Sequence, residues 1–291
     1  MESYRHKPLE GLLKRNKENY KGIGLLKTLD KVEEDIAPAP RGRAKRLMLF
    51  FYLIDILQSN VIPFYVKGGL ILQYYLKDHA RPSNDIDILT PSSADEFYQR
   101  AEKAFKNNAY GLDLTIIRFS KSEADENYYF PTFGMLVSVS VEGKEIDVIS
   151  LEGRNTDLFF EVTPKKYEGP SIAKEGFAFL GVPLEYAFAE KILAVTSELV
   201  RPCKHLVDAY SISQIEIDID ELKRYLAIIL SYENITREKL GIQTSEYKFQ
   251  IKPDKRFTHG YYFPMVQAGL TLTFEEMIQS VNQYMLTHLN Q

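Results

Sequence analysis

Cysteine is almost absent from this chain: Cys203 is the only one in 291 residues, which excludes an internal disulfide. The five histidines, His6, His79, His205, His259 and His288, fall at no zinc-ligand spacing. Long apolar runs are missing too. The best candidate, Leu47 to Leu57, is broken by Asp55 and too short to span a membrane. Met1 to Arg5 leads into polar sequence, which predicts no secretory signal, a cytoplasmic location and no membrane partner. Nor is there an excess of positive charge. With 36 Lys and Arg against 40 Asp and Glu, the formal net charge is -4, unlike the strongly basic footprint of a dedicated duplex-binding domain. Two local clusters, Arg41, Arg43, Lys45 and Arg46, then Lys252, Lys255 and Arg256, permit an RNA partner and equally describe solvated faces. No repeat or low-complexity tract is visible. What remains is an ordinary folded composition, 45% hydrophobic and 26% charged, in a chain long enough for about two domains.

The stretch around which the chain is organised is Val66-Lys67-Gly68-Gly69, followed after a helix-length apolar run by Ser83-Asn84-Asp85-Ile86-Asp87-Ile88-Leu89. A strand ending at Phe64-Tyr65-Val66 turns at the glycines and enters a helix from Leu70 to about Lys77. Such a corner, with close backbone approach and free helical amides, suits a phosphate. Ile86, Ile88 and Leu89 predict a buried strand over 85–89, and residues two apart on a strand share a face. Asp85 and Asp87 therefore point the same way. Like charges at that range raise each other's pKa unless a cation lies between them. A D-x-D alone describes many solvated strands and turns. Beside a phosphate-binding corner it points to magnesium (or manganese) and a nucleoside triphosphate, because a hard divalent ion takes carboxylates and phosphate oxygens together.

Residues 1–35 are charged with interspersed leucines and predict one or two short helices, ended by the break Ala37-Pro38-Ala39-Pro40-Arg41-Gly42. Ala44 to Gln58 is apolar on more than one face and predicts a buried helix. Ser92 and Ser93, with Asp95 and Glu96 three residues on, start a helix running to about Lys106. Strands are expected at 112–119, 135–141 and 145–150, with a tight turn at Glu142-Gly143. The last of them carries Asp147 among apolar residues. If that strand lies beside 85–89, Asp147 completes a three-carboxylate metal site; the alternative is an edge-strand Asp facing water. Residues 151–181 read as irregular, with a possible strand at 177–180, and helices follow at 184–199, 202–212, 220–232 and 273–289. The predicted organisation is an extension over 1–43, a core over 44–182 and a helical domain over 183–291.

Lys67-Gly68-Gly69, Arg81-Pro82-Ser83-Asn84-Asp85-Ile86-Asp87, Glu185 to Ala194 and Arg201 to Tyr210, in that order, resemble the AbiEii-type nucleotidyltransferase toxins. These are the toxin half of type IV toxin-antitoxin pairs, of the DNA polymerase beta-like nucleotidyltransferase superfamily. The resemblance covers about residues 60–212. It implies an α+β fold: a polymerase-beta-like nucleotidyltransferase core of mixed sheet with helices, then a mainly helical C-terminal domain. It also implies site residues. Lys67, Gly68, Gly69 and Ser83 would bind the nucleotide, Asp85 and Asp87 the metal, with Asp147 as the superfamily's third carboxylate by context. Lys191 would reach the triphosphate, and Asp208 would support the site from the next helix. The chain departs from the pattern at Leu70, where a hydroxyl residue often stands, and at Cys203 and His205. The implied activity is metal-assisted transfer of a nucleotide to a hydroxyl, with pyrophosphate released. The implied acceptor is an RNA end, as tRNA 3′ ends are for characterised relatives, or a protein hydroxyl, and the implied partner is a cognate antitoxin. From the residues alone, Lys191 reads equally as a snorkelling lysine, and Lys204 with Asp208 as a surface ion pair. A weakly catalytic nucleotide- or partner-binding module and a small-molecule, antibiotic-type nucleotidyltransferase stay open.

Overall fold

A strand of only three residues, β1 (Tyr65–Lys67), joins the two halves of a seven-stranded mixed sheet. The computed structural model of the chain describes residues 29–30, 43–125, 129–170, 178–197, 203–244, 248–252 and 262–290. The helices expected in 1–35, the break at 37–42, Arg201 and Pro202, and Lys255 and Arg256 lie outside these residues, apart from Leu29 and Asp30, which are helical.

Before β1 comes α1 (Arg43–Ser59), buried from Leu47 to Ile54, which accounts for its lack of a polar face. After it come α2 (Gly68–Leu76), β2 (Asp85–Thr90), α3 (Ala94–Lys106), β3 (Asp113–Ser122), β4 (Thr132–Val141) and β5 (Lys144–Asn155). Then follow a single turn, α4 (Leu158–Glu161), the strands β6 (Lys165–Glu168) and β7 (Ala178–Gly181), and the helices α5 (Leu184–Thr196), α6 (Cys203–Ser213), α7 (Ile219–Lys239), α8 (Tyr262–Gln267) and α9 (Phe274–His288). The strand order is β3-β4-β5-β2-β1-β7-β6. Strand β2 runs parallel to β5 and antiparallel to β1, and β1 is parallel to β7.

Local chemistry explains the boundaries. The Ser93 hydroxyl accepts from the Glu96 amide at the start of α3, and Thr273 with Glu276 forms a reciprocal capping box on α9. Glu142 and Gly143 both adopt positive φ, the backbone a tight β4–β5 hairpin requires. The region expected to be irregular is more ordered than its sequence suggests. Strand β5 continues through Gly153, because a Cβ there would lie 2.1 Å from Phe133 Cζ, and the Phe133 ring on β4 fills the space instead. Helices α5 and α6 pack on each other and on α2, which brings residues more than a hundred positions away to the glycine corner.

Candidate active site

One rung of the sheet brings the polar side chains of the candidate site together. Lys67 on β1 pairs with Asp87 on β2, Asp87 with Glu152 on β5, Glu152 with Gly134 on β4, and Gly134 with Ser120 on β3. All five line one cavity of about 500 Å³, together with Gly68, Gly69, Ser83, Asp85, Glu190, Lys191 and His205. Directly paired residues share a face, so Asp87 has a cation on one side and a second carboxylate on the other. Asp85, opposite Ser150, sits one step along the same face.

The glycines are set by contact rather than by flexibility. Gly68 has φ +68°, and a Cβ on it would lie 1.9 Å from Asp87 Oδ2. The carboxylate occupies the space where a side chain would be. At Gly69 a Cβ would come within 2.8 Å of the Ser83 hydroxyl, which itself donates to the Asp85 carbonyl at 2.9 Å. Helix α2 begins at Gly68 itself, two residues earlier than its apolar pattern predicts, so its first amides lie at the cavity wall.

Burial pushes the half-buried Asp87 carboxyl up; Lys67 opposes this, Asp85 adds to it, and the outcome is about 6. This crowding of acid is the condition a divalent cation relieves. Among the described residues no three His, Cys, Asp or Glu side chains form a ready-made metal cage. Magnesium does not need one, since it is held by one or two carboxylates plus waters and phosphate oxygens. The hard-oxygen pair Asp85 and Asp87, pressed against a glycine corner, fits that ion.

Two ion networks form the opposite wall. Glu190 on α5 accepts from Lys67 Nζ at 3.0 Å and Arg154 at 2.7 Å. Its burial would raise its pKa, but these two cations and Lys191 hold it below the ordinary value. Asp208 on α6 accepts a two-pronged pair from Arg81, 2.8 Å on each side, and lies 3.0 Å from Lys191 Nζ. Lys191 and Arg81 outweigh the burial of Asp208 and hold it far below the usual carboxylate range. Lys191 Nζ is also 3.2 Å from His205 Nδ1. Burial and Lys191 keep His205 well below its ordinary pKa, hence neutral. An ammonium only donates, so Nδ1 accepts and the ring proton sits on Nε2. Cys203 is buried and its thiol is pushed up to about 11, which leaves it unreactive.

Most of the expected residues converge: Lys67, Gly68, Gly69, Ser83, Asp85, Asp87 and Lys191 line the cavity, and Asp208 holds Lys191 from behind. Asp147 does not join them. Strand β5 does lie beside β2, but the register sets Ser150 and Glu152 against Asp85 and Asp87. Asp147 lies an odd number of positions before Glu152 on the strand, so it points to the other face. There it binds Arg46 of α1 through two hydrogen bonds, 2.6 and 2.8 Å. Glu152, Glu190, Arg81 and His205 were missed as site residues. Glu152 was legible only by carrying the strand's alternation past Ser150.

A family model described as "Nucleotidyl transferase AbiEii toxin, Type IV TA system" matches residues 57–282. The chain belongs to this family. It is therefore a nucleotidyltransferase, and the type IV description implies an antitoxin partner. Among solved structures, JHP933 from Helicobacter pylori is similar at 16% identity, with 86% of this chain and 93% of that one covered and a TM-score of 0.45. The nucleotidyltransferase toxin MenT4 from Mycobacterium tuberculosis is similar at 17% identity, covering 84% and 95%, with a TM-score of 0.46. No curated protein gives a significant match. Among the described residues no helix is long and apolar enough to cross a membrane.

Proposed function

We propose that this toxin-family enzyme moves a nucleoside monophosphate from a nucleoside triphosphate to a hydroxyl, on an RNA end in our reading, at the Asp87 rung. The observation that carries this is the Lys67–Asp87–Glu152 rung facing the Gly68–Gly69 corner across a cavity also lined by Lys191. Asp85 and Asp87 are the residues that would hold magnesium or manganese. When bound, the cation neutralises phosphate charge and draws electrons from the α-phosphorus. The Gly68 and Gly69 amides, with the Ser83 hydroxyl, bind phosphate oxygens at the start of α2. Lys191 has three N–H bonds; Asp208 and His205 take two, and we assign the third to the triphosphate. The acceptor oxygen attacks the α-phosphorus and forms the new O–P bond. The bond to the bridging oxygen breaks, pyrophosphate leaves with that electron pair, and we assign the hydroxyl proton to Glu152. Such chemistry depends mainly on positioning and charge.

The test is to incubate the purified protein and its Asp87→Ala variant with magnesium, each labelled nucleoside triphosphate in turn, and total RNA or cell extract. Label entering RNA with the wild type alone is the expected result. Label entering protein would reassign the acceptor, and no transfer from any triphosphate would sink the proposal.

A further inference from the structure

A second cavity, of about 410 Å³, opens on the other side of the loop that leads into β2. Pro82, Ser83 and Asn84 line both cavities, so an occupant of the second lies against residues that border the first. The rest of its wall comes from Arg43, Lys45, Arg46 and Leu47 of α1, Gln73 of α2, and Ile146 and Asp147 of β5. Three cations and one carboxylate thus surround it.

Three of these side chains are set up for a ligand. Gln73 is 8% exposed, and its amide Nε2 is buried without a hydrogen-bond partner among the described residues. A buried donor left without an acceptor is costly, so a group that accepts from it is favoured. Arg43 makes no hydrogen bond or ion pair with the described residues, and partial burial lowers its pKa, a penalty an anion would remove. Arg46 is held in place rather than freed: Asp147 takes its Nε and one Nη2 hydrogen, and among the described residues Nη1 is left uncommitted. Lys45 is engaged by Asp30 at the rim. Leu47, Pro82 and Ile146 supply apolar surface between the donors.

We propose that this cavity is a phosphate subsite for the acceptor. Arg43, Arg46 and the Gln73 amide bind a phosphate ester, and the hydroxyl attached to the same molecule crosses the Pro82–Asn84 loop to the Asp85–Asp87 pair. The assignment to the acceptor rests on the nucleotidyl-transfer reading above. The phosphate could belong to a small phosphorylated molecule or to a nucleic-acid strand, and the chemistry of the cavity serves both. On this view Asp147 is a positioning residue that fixes Arg46.

The test uses the full chain as wild type, Arg43→Gln and Gln73→Glu, with folding checked by thermal melting. Two probes are titrated, inorganic phosphate by calorimetry and a fluorescein-labelled octaribonucleotide by anisotropy. Magnesium-dependent binding of each nucleoside triphosphate is measured alongside. Each substitution is expected to weaken probe binding about tenfold, the equivalent of one charge-assisted hydrogen bond, without weakening triphosphate binding. Loss for both probes identifies the phosphate group as sufficient; loss for the oligonucleotide alone identifies a strand. Unchanged affinity of the well-folded Arg43→Gln protein for both probes, with triphosphate binding intact, overturns the subsite alone. Absence of triphosphate binding in the wild type overturns the transfer reading and the acceptor role with it.

Discussion

At the scale of single residues, the role we propose for Asp87 runs against stability. Its pKa in the folded protein, about 6, lies above the unfolded value near 3.8, so the folded state pays for the charged form above pH 6. The sign is opposite to that of an ion-paired carboxylate such as Asp208: through Asp87 alone, stability rises as pH falls from about 6 towards 4. Asp87→Asn is therefore expected to raise the melting temperature at neutral pH, by about 1–3 kcal/mol of stability, while abolishing transfer. Differential scanning calorimetry at pH 7.5 checks this; a lower melting temperature would refute it. Metal affinity should likewise fall below pH 6 as protons compete for Asp87. Gly68→Ala tests the neighbouring contact. Its positive φ costs about 1–2 kcal/mol for an L-residue, and its methyl would displace the Asp87 carboxylate. We expect both melting temperature and triphosphate affinity to drop, whereas Gly143→Ala, with open space around it, should lose stability alone.

At the scale of elements, strand β5 decides which acids meet. Asp147, expected as the third carboxylate, lies on the strand beside β2 but on its other face, and the register sets Glu152 against Asp87 instead. The sequence places an acid on the strand beside β2, but pairing register is a tertiary property set by the β4–β5 hairpin and by Phe133 packing into the gap at Gly153. The glycine corner, the Asp85–Asp87 strand and the buried α1 were legible because each is written in local periodicity. Glu190, Arg81 and His205 were not, because their roles come from partners more than a dozen residues away. The consequence is a paired prediction: Glu152→Gln abolishes transfer at unchanged triphosphate affinity, and Asp147→Asn leaves triphosphate affinity unchanged while weakening acceptor use. Single-turnover transfer and equilibrium binding, measured on both variants, check it; equal loss of transfer at saturating acceptor would contradict the register argument.

At the scale of the whole molecule, buried ion pairs tie the helices to the sheet. Asp208→Asn leaves Arg81 and Lys191 facing each other without their anion, both about one-tenth exposed. Losing one partner of such a buried network costs about 3–5 kcal/mol, to be read from urea unfolding, and the cost should be similar with and without magnesium. In the wild type the Asp208 contribution is complete above the unfolded carboxylate range and is lost as pH falls below it, because the folded pKa is depressed. The neutral His205 acts earlier: the unfolded imidazole takes a proton near pH 6.5, the folded one does not, so stability declines below that pH.

The same ties span great distances along the chain. Lys67 meets Glu190 across 123 positions and Arg81 meets Asp208 across 127. During synthesis the glycine corner and both aspartates leave the ribosome long before the helices that complete their cavity. A nascent chain that has not reached Asp208 lacks the shared anion that holds Arg81 and Lys191 together, so the charge network beside the glycine corner closes only after α6 has been made.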